Sequence, residues 1–287
     1  MIYISVVSHG HFSVIEELDV LSGLNDDIQL SVVLIDNLGE DGLREWCCQR
    51  GIRYQANSSK RGFGANNNTA FSLIERECWP SDTDYFLVLN PDVIITSEQV
   101  KEVVASMHEF DAKLSTCNLF KDLNRTKYDP AIRAYPRGSD FLKSFVLGFN
   151  PAIIDKCKIH SPSYVDWAAG SFLMFQVSLY RKLGGFDEDY FMYCEDIDIC
   201  LRSHLIFGER VLYLPEIKVI HWAQHQNRAI FSKHFLWHLR SITTYLVRKR
   251  RYLRRASDAI KNLPPVAPAC QAKERFSHRD DLNIDCR

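Results

Sequence analysis

The densest group of ionisable side chains lies between residues 187 and 198. Six carboxylates occur there beside three aromatic residues: Asp187, Glu188, Asp189, Glu195, Asp196 and Asp198. Acids in the first turn of a helix gain from its dipole, so Glu195 and Asp196 also have a purely structural explanation. Aromatic surroundings, however, disfavour the charged form of a carboxyl group and raise its pKa, which suits a general base. The cluster therefore predicts proton transfer by one of its carboxylates.

Polar residues also follow three short runs that have the composition of buried strands. Ser8 closes the first run, Asp36 follows the second, and Asn90-Pro91-Asp92 follows the third. Ligands of open α/β sheets bind beyond the carboxyl ends of the strands, so these side chains are candidates for one crevice. The alternative is that Asp36 and Asp92 are ordinary turn residues.

A glycine- and asparagine-rich segment, Arg61-Gly62-Phe63-Gly64-Ala65-Asn66-Asn67-Asn68, opens a predicted helix. Glycine lets a backbone approach a ligand closely, and a helix N-terminus favours anions. Asparagine is a poor helix former, so something other than propensity must place three of them here. The alternative is a loop capped by asparagine. The spacing is not that of the dinucleotide-binding glycine motif.

Strand and helix patterns alternate through the first half of the chain. This alternation predicts a parallel sheet with right-handed crossovers, flanked by helices. The predicted strands are Ile2–Ser8, Leu30–Ile35, Ile52–Ala56, Tyr85–Leu89, Leu114–Phe120, Ser171–Phe175, Val211–Leu214 and Ile217–Ile220. Helices are predicted over Ala65–Trp79, after an N-cap at Ser97, over Glu195–Phe207 and from about Ile230 to Arg250.

Length and composition limit the class of protein. The chain has 287 residues, of which 46% are hydrophobic and 25% charged, which excludes a disordered, collagen-like or coiled-coil protein. The nine cysteines form no CxxC pair, so no zinc ribbon is predicted, and free thiols fit a reducing cytoplasm. The first residues lack the basic region that begins a signal peptide, and no stretch is apolar enough to span a membrane.

The charge is unevenly distributed. The net charge is −1, yet residues 217–257 contain ten basic residues and no acid. An amphipathic helix there ends in a cationic cluster: Arg248, Lys249, Arg250, Arg251, Arg254 and Arg255. Packing and the helix dipole explain part of this pattern, and no nucleic-acid recognition motif accompanies it. We therefore predict a catalytic domain over 1–228, a basic helical segment over 229–257 that contacts an anionic membrane surface, and a poorly ordered tail over 258–287.

Taken together, the segments resemble glycosyltransferase family 2, the inverting enzymes with the GT-A fold, and most closely its O-antigen rhamnosyltransferase branch. The matching pieces run in order from Ile2 to Arg255 and are VVSHG, LIDN, RGFGANNN, LNPDV, VDWAAGSFLMF, GGFDEDYFMYCEDIDICLR, VIHWAQHQNR and FSKHFLWHLRS. The resemblance implies a Rossmann-like, mostly parallel sheet. It also implies transfer of L-rhamnose from dTDP-L-rhamnose to N-acetylglucosamine-diphosphoundecaprenol, by an enzyme peripheral to the cytoplasmic face of the bacterial inner membrane.

The resemblance also assigns roles to individual residues. The nucleotide-sugar donor would contact Ser8, Asp36, Arg61, Gly62, Asn67, Asn68, Asn90 and Asp92. The family's metal-binding DxD falls on Asn90-Pro91-Asp92, so Asp92 with His221 would hold Mg²⁺ or Mn²⁺. Asp196 would be the base, with Glu195 beside it. The polyprenyl-diphosphate-linked acceptor would contact Asp166, Trp167 and Tyr193.

This assignment supplies the carboxylates that inversion requires. One acid on the metal side and one on the acceptor side suffice, because a single displacement needs no carboxylate nucleophile. The alternatives are a family 2 enzyme that uses another nucleotide sugar, a nucleotidyltransferase, or a non-catalytic lectin-like or scaffold protein. A nucleotidyltransferase would normally carry a lysine-rich phosphate loop near the N-terminus, where this chain has His9-Gly10-His11.

Overall fold

A computed structural model describes residues 1–141, 150–222 and 233–261, with the side chains of 233–236 and 255–261 left undescribed. The strands within these ranges are β1 Ile2–Ser8, β2 Leu30–Asp36, β3 Arg53–Ala56, β4 Tyr85–Leu89, β5 Val93–Ile94, β6 Leu114–Phe120, β7 Ile132–Arg133, β8 Ser163–Val165, β9 Trp167–Ala168, β10 Phe172–Gln176 and β11 Val211–His221. The helices are α1 Phe12–Leu18, α2 Val20–Asn25, α3 Leu43–Gln49, α4 Phe63–Cys78, α5 Ser97–Glu109, α6 Val177–Leu183, α7 Glu195–Phe207 and α8 Lys233–Lys261.

One mixed sheet forms the centre of the molecule. Its strand order is β3-β2-β1-β4-β10-β6-β11-β5, with β8 paired to β11, while β7 and β9 form a separate two-stranded ribbon. The first four strands in this order are parallel, as the alternating pattern predicted. In the second half β10 runs antiparallel to both β4 and β6, and β11 is parallel to β6. The carboxyl ends of β1, β2, β4, β6 and β11 therefore meet at one edge.

Both faces of the sheet are covered by apolar side chains. Val32 and Leu34 of β2 pack into the core on one face, and Val33 and Ile35 pack into the core on the other. A strand buried on both faces has a continuous apolar sequence, which is why LSVVLI shows no alternation. Each such side chain contributes about 1.5–3 kcal/mol through burial, so the sheet is a rigid frame for the residues at its edge.

Three predicted boundaries were wrong in detail. The N-cap of α5 is Thr96 rather than Ser97. The Thr96 hydroxyl accepts a hydrogen bond from the backbone amide of Gln99, and the side-chain oxygen of Gln99 accepts one from the backbone amide of Thr96. The two short strands predicted around Pro215 are one strand, β11, whose register against β6 shifts between Leu214 and Lys218. An irregularity of this kind lets a strand carry proline.

The third corrected boundary is that of the last helix. Its described part runs from Lys233 to Lys261, so it ends well beyond Arg250, while the predicted start at Ile230 lies outside the described residues. The predicted domain boundary at residue 228 and the predicted tail beyond 261 lie outside the described residues. Within the described part of the chain, no helix combines the length and the apolar character needed to cross a membrane.

Candidate active site

The first part of the site is a row of ionisable groups at the carboxyl ends of β4 and β11. The pairing of His221 with Val93 brings the last residue of β11 beside Asp92. The Nε2 atom of His221 lies 3.4 Å from Oδ1 of Asp92, and its Nδ1 atom lies 2.9 Å from Oδ2 of Asp129. Asn90 reaches the same imidazole, with 3.3 Å between its Nδ2 and Nε2 of His221. Four side chains from three separate segments thus converge.

The charges in this row depend on one another. Burial alone would lower the pKa of His221, but hydrogen bonds and charge from Asp129 and Asp92 outweigh it and raise that pKa to about 9. Burial in turn raises the pKa values of Asp92 and Asp129, and the neighbouring histidine more than offsets it, so both end below their usual value. In the absence of a metal the row therefore carries two carboxylates and one imidazolium at neutral pH, and a metal ion on Nε2 would displace the proton there, because only neutral imidazole binds metals.

The row also fits a divalent cation. Oδ1 of Asp92 is buried, and among the described residues its one polar neighbour is the weakly placed Nε2 of His221 at 3.4 Å, which is poor compensation for a buried carboxylate oxygen that holds no ligand. Asp129 on Nδ1 of His221 is the outer carboxylate that typically orients a metal-binding histidine. The described residues contain no group of three or more histidine, cysteine, aspartate or glutamate side chains able to hold a metal. Asp92 and His221 would therefore share the ion with ligands from the substrate.

The second part of the site is the pair of carboxyl groups that begins α7. Glu195 is buried and its Oε2 has no hydrogen-bond partner among the described residues. Burial raises the pKa of Glu195 to about 8, and the neighbouring Asp196 charge adds to this effect. Asp196 is partly exposed, and its carboxylate accepts hydrogen bonds from the amides of Ile197, at 2.8 Å, and Gly170, at 3.4 Å.

Burial also raises the pKa of Asp196, against the amide hydrogen bonds and the charge of Arg133, which lower it. The two groups differ in environment, because amides of Ile197 and Gly170 favour the anion of Asp196, whereas the amide that favours the anion of Glu195 is its own. At neutral pH Glu195 therefore keeps its proton and Asp196 is the better candidate for the ionised group. A partly exposed carboxylate beside a neutral acid is suited to accept a proton from a bound hydroxyl.

The backbone before this pair is strained. Tyr193 and Cys194 both have positive φ angles, 72° and 66°, although neither is glycine. Such conformations cost about 1–3 kcal/mol each and persist only where the surroundings hold them. Here the turn sets the direction in which α7 starts and hence the position of Glu195 and Asp196.

Gly170 and Ser171 connect the two parts of the site. The carbonyl of Ser171 accepts from the Asn90 amide at 3.0 Å, while the Gly170 amide donates to Asp196. A side chain on Gly170 would lie 2.7 Å from the Phe63 ring, so this position has room only for glycine. The base-side carboxylate and the metal-side strand end are therefore joined through two consecutive residues.

The predicted donor residue Asp36 is fully engaged within the protein. Its two carboxylate oxygens accept from the amides of Leu38, Gly39 and Glu40 and from the Tyr54 hydroxyl, at 2.7–3.0 Å. Burial opposes these bonds, yet together they hold the pKa of Asp36 below its usual value. The structure thus gives Asp36 the turn-forming role that the sequence left open, and a direct contact with a nucleotide stays a prediction.

Ser8 is similarly engaged. It is buried and donates to Glu40, a residue that the sequence analysis did not single out. The other bonds of the Glu40 carboxylate come from the amides of Gly10 and Phe12, both at 2.9 Å. Glu40 therefore fixes the loop after β1. The only sequence feature that could have indicated this role is that the loop follows a predicted strand.

The three asparagines of α4 are placed by tertiary bonds, as their low helix propensity indicated. Asn66 accepts from Asn57, and buried Asn67 accepts from the Ser5 hydroxyl of β1 at 2.7 Å. Asn68 accepts from the Tyr180 hydroxyl and the Phe186 amide and donates to the Phe186 carbonyl. The polar atoms of Asn67 and Asn68 thus bind within the protein, and a contact of either residue with the donor stays a prediction.

Gly62 and Arg61 position the start of α4. A Cβ atom on Gly62 would lie 2.2 Å from the carbonyl oxygen of Phe191, so the loop before the carboxyl pair can approach only a glycine. The Arg61 guanidinium pairs with Glu188 at 2.9 Å and donates to Thr69. Both residues therefore connect α4 to the acidic loop, and a contact with the donor remains a prediction for each.

The three predicted acceptor residues have different surroundings, and their contact with an acceptor stays a prediction. Asp166 accepts from the Tyr135 amide and pairs with Arg210, which precedes β11, so it lies at the opposite end of that strand from His221. Trp167 is buried, and its indole donates to the Ala134 carbonyl at 2.9 Å. Tyr193 lies in the strained turn, with its ring centroid 4.7 Å from that of His238 in α8. Of the three, Tyr193 is adjacent to the carboxyl pair in sequence.

Two residues of the site were missed by the sequence analysis. Asp129 lies in the loop after β6, where no periodicity or motif marks it. Arg133 lies over the Trp167 ring, 5.2 Å from its centroid, and acts electrostatically on Asp196. The only available signal was that both follow a predicted strand, which is too common a position to single them out.

The basic helix α8 packs against the acidic loop between Gly185 and Glu195. Arg248 pairs with Asp187 and Asp189 and lies over the Tyr190 ring. The Ser241 hydroxyl donates to the Met192 carbonyl at 2.8 Å, and Trp237 lies against Phe191. The predicted membrane cluster is thereby divided, because Arg248 and Lys249 contact the domain whereas Arg250, Arg251 and Arg254 are exposed. The Arg255 side chain lies outside the described set.

Comparison with known proteins gives two curated relatives of note. The chain is 41% identical over 265 residues to rhamnosyltransferase WbbL of Escherichia coli strain K12, which covers 92% of this chain and 99% of that protein. It is 28% identical over 232 residues to the N-acetylglucosaminyl-diphospho-decaprenol L-rhamnosyltransferase of Mycobacterium tuberculosis, covering 76% and 74% of the two chains. No family model matches the chain.

Solved structures with little sequence identity share the fold. Staphylococcus aureus TarS 1–349 in complex with UDP-GlcNAc matches with a TM-score of 0.54 and 14% identity, over 91% of this chain and 66% of that one. A mannosyltransferase from Pyrobaculum calidifontis in complex with GDP-Man and Mn²⁺ matches with a TM-score of 0.50 and 15% identity, over 92% and 65%. Both neighbours were solved with a nucleotide sugar, and the second also with a divalent metal.

Proposed function

The chain belongs to the rhamnosyltransferases of glycosyltransferase family 2, and we propose that it transfers L-rhamnose from dTDP-L-rhamnose to a lipid-linked acceptor. The acceptor sugar would be N-acetylglucosamine on a polyprenyl diphosphate, the substrate class in the name of the mycobacterial relative. The observation that carries this proposal is the 41% identity along almost the full length of a rhamnosyltransferase.

The proposed metal centre is Asp92 with His221, oriented by Asp129. Bound there, Mg²⁺ or Mn²⁺ would offset the negative charge of the donor's diphosphate leaving group. The pairing of Asp129 with Nδ1 leaves Nε2 of His221 and Oδ1 of Asp92 facing each other at 3.4 Å, which is the part of the row that a cation would take. The manganese-containing fold neighbour supports the presence of a metal, and the identity of these ligands is our proposal.

The proposed base is Asp196. Its carboxylate would accept the proton of the acceptor hydroxyl while that oxygen attacks the anomeric carbon and the bond to the donor diphosphate breaks. One displacement inverts the configuration, so the product would be an α-rhamnoside. Glu195, which keeps its proton at neutral pH, would limit the negative charge beside the base.

A direct assay with a donor panel tests the proposed reaction. The purified enzyme with Mg²⁺ would be given an N-acetylglucosamine-diphosphate-lipid and, in parallel, dTDP-L-rhamnose, UDP-glucose, UDP-N-acetylglucosamine and GDP-mannose. We expect transfer with dTDP-L-rhamnose and the α configuration in the product by NMR. A clear preference for a UDP-hexose would show instead a family 2 enzyme with another donor, and nucleotide transfer to a sugar phosphate would indicate a nucleotidyltransferase.

We further propose that the enzyme is held at the cytoplasmic face of the bacterial inner membrane by α8. The exposed side of this helix combines apolar and cationic side chains: Leu239, Val247, Arg250, Arg251, Leu253 and Arg254. Val247 is 52% exposed and Leu253 46%, which is unusual for residues of a helix that otherwise packs on its domain. Anionic headgroups attract cations at about 1 kcal/mol per Lys or Arg near the surface, and the apolar residues between them would enter the interface.

A further inference from the structure

A groove lies beside the Asp92–His221 row, on the side away from the parallel half of the sheet. One wall is the loop after β6, with Tyr128, Asp129 and Pro130, and the other is the segment from Asn150 to Lys156. Its volume is about 460 Å³. Because Asp129 lines the groove and also bonds to Nδ1 of His221, the groove adjoins the proposed metal centre.

Part of each wall of this groove is apolar and open to solvent. Tyr128 lies on one wall and Ile153 on the other. Their side chains are 40% and 44% exposed, although both are large and hydrophobic. Pro130 and Pro151 complete the lining of this part. An exposed apolar strip next to a reaction centre fits a substrate with an apolar portion better than it fits water.

The floor of the groove carries a buried cation. Lys156 is only 5% exposed and lies in a short 3-10 helix, Lys156–Lys158. Within the described chain its ammonium group has one hydrogen-bond acceptor, the Leu119 carbonyl, at 3.2 Å. The ammonium group also lies 5.7 Å from the centroid of the Tyr213 ring. Because it has three donors and one acceptor among the described residues, it retains donor capacity for a ligand. Burial lowers the pKa of Lys156 to about 8, against the charge of Asp129, which raises it.

The acids near Lys156 do not cancel its charge. Asp129 already bonds to Nδ1 of His221 at 2.9 Å, and Asp155 lies on the exposed rim, where it pairs with Lys158 at 3.4 Å. A buried ammonium without a carboxylate in contact is energetically costly unless an anion arrives. Phosphate oxygens are such acceptors, and an anion that is attached to an apolar chain would use both the floor and the walls.

We propose that this groove binds the isoprenoid-diphosphate portion of the acceptor, with Lys156 donating to the diphosphate and Tyr128 and Ile153 contacting the first isoprene units. The inference rests on the proposed lipid-linked acceptor. The donor's diphosphate would instead lie on the metal side, against Asp92 and His221. The acceptor's sugar would then span from the groove to Asp196.

Binding without turnover tests the groove independently of the transferred sugar. The full-length enzyme would be saturated with dTDP and Mg²⁺ to fill the donor site, and then titrated with farnesyl diphosphate, farnesol and inorganic diphosphate. We expect farnesyl diphosphate to bind more tightly than either fragment. The Lys156→Met variant should bind it at least about tenfold more weakly, since hydrogen bonds to charged groups contribute about 1.5–3 kcal/mol.

Three further variants separate the groove from a general loss of structure. Lys158→Met removes an exposed cation two residues away and should leave the binding of farnesyl diphosphate unchanged. Lys156→Arg keeps a positive charge at position 156 and should retain most of the wild-type affinity. Ile153→Ser should reduce the advantage of farnesyl diphosphate over inorganic diphosphate, because it alters only the wall. Equal binding by wild type and Lys156→Met, or equal loss in Lys158→Met, would overturn the proposal. Failure of rhamnose transfer alone, with this binding intact, would overturn the proposed function and leave the groove standing.

Discussion

At the scale of single residues, the two carboxyl groups at the start of α7 have different tasks. Asp196 accepts two amide hydrogen bonds and is partly exposed, whereas Glu195 is buried with an unpartnered oxygen. We predict that Asp196→Asn retains donor binding and lowers kcat by about 10²–10⁴, the usual contribution of a general base. Steady-state kinetics together with dTDP-L-rhamnose binding would measure both quantities. A near-normal kcat would exclude Asp196 as the base.

Glu195 gives a prediction about stability and pH. Its folded-state pKa of about 8 lies above the ordinary value of 4.5, so the folded protein binds more protons than the unfolded chain between these values. Stability contributed by the protonated form is complete below about pH 4.5 and is lost as pH rises through about 8. Glu195→Gln cannot ionise, and we expect its free energy of unfolding to fall less than that of wild type between pH 6 and 9. Denaturant unfolding at a series of pH values measures this, and parallel curves would contradict it.

Asp129 makes a third prediction at this scale. It orients His221 without facing the proposed metal position itself, so it is a positioning residue. Loss of an outer-sphere carboxylate typically weakens metal affinity by about 10–100-fold. We expect Asp129→Asn to need that much more Mn²⁺ for half-maximal activity while kcat at saturating metal changes little. Asp122→Asn, in the same loop but bonded only to Thr126 and Lys127, is the control. An unchanged Mn²⁺ requirement in Asp129→Asn would remove Asp129 from the metal centre.

At the scale of elements, the sequence was most informative where one physical cause dominates. The parallel strands of the first half are buried on both faces, and their apolar runs predicted β1, β2 and β4 within a residue of the observed bounds. The direction of β10 could not be predicted in this way, because an apolar run has the same composition in parallel and antiparallel ladders. Likewise Pro215 indicated a break, whereas the register shift keeps β11 continuous.

The site shows the same division between local and long-range information. Asp92 was singled out because it follows a recognisable strand, and Asp196 because it opens a recognisable helix within an acidic cluster. Asp129 was missed because only the fold brings it to His221. The hydrogen-bond partners of Asn67 and Asn68 could not be predicted for a related reason. Their composition indicated a special cause, but the cause is bonding to Ser5 and Phe186, which lie far away in sequence.

Close backbone packing between α4 and the acidic loop gives a prediction at the element scale. A Cβ atom on Gly62 would meet the backbone of Phe191, which cannot move without displacing the strained turn before Glu195. We expect Gly62→Ala to destabilise the fold by about 1–3 kcal/mol, as overpacking does, and to lower kcat as well. Denaturant unfolding and steady-state kinetics measure the two effects.

The matched control is Gly23→Ala in α2, where a Cβ atom would meet nothing within 4 Å. Alanine in a helix is favoured over glycine by about 0.5–1 kcal/mol, so this variant should be slightly more stable than wild type and equally active. Equal behaviour of the two variants would show that the contact between Gly62 and Phe191 is not needed to hold the loop.

At the scale of the whole molecule, α8 has one side packed on the domain and one side exposed. Ile242 and Tyr245 are buried against the domain, and Arg248 pairs with Asp187 and Asp189 of the loop that leads to Glu195. The opposite side presents exposed arginines and apolar residues. The helix thereby connects the loop before the proposed base to the surface that we assign to the membrane. One element, α8, would therefore hold both the lipid-linked acceptor and the segment that leads to Asp196.

The exposed cations of α8 give the last prediction. Arg250, Arg251 and Arg254 make no contribution to the contacts between α8 and the acidic loop, so their replacement should leave the fold intact. At about 1 kcal/mol per cation, the loss of three should weaken attachment to anionic vesicles by roughly two orders of magnitude at low salt. We expect the wild type to sediment with vesicles that contain anionic lipid, less so at high salt because of screening, and the variant with glutamine at all three positions to remain in the supernatant.

A control with the same change in net charge replaces Lys60, Arg76 and Lys182, which are exposed elsewhere on the domain, by glutamine and should sediment like the wild type. Equal sedimentation of the two triple variants would show that net charge rather than this helix determines attachment, and sedimentation that is independent of anionic lipid would remove electrostatics from the mechanism.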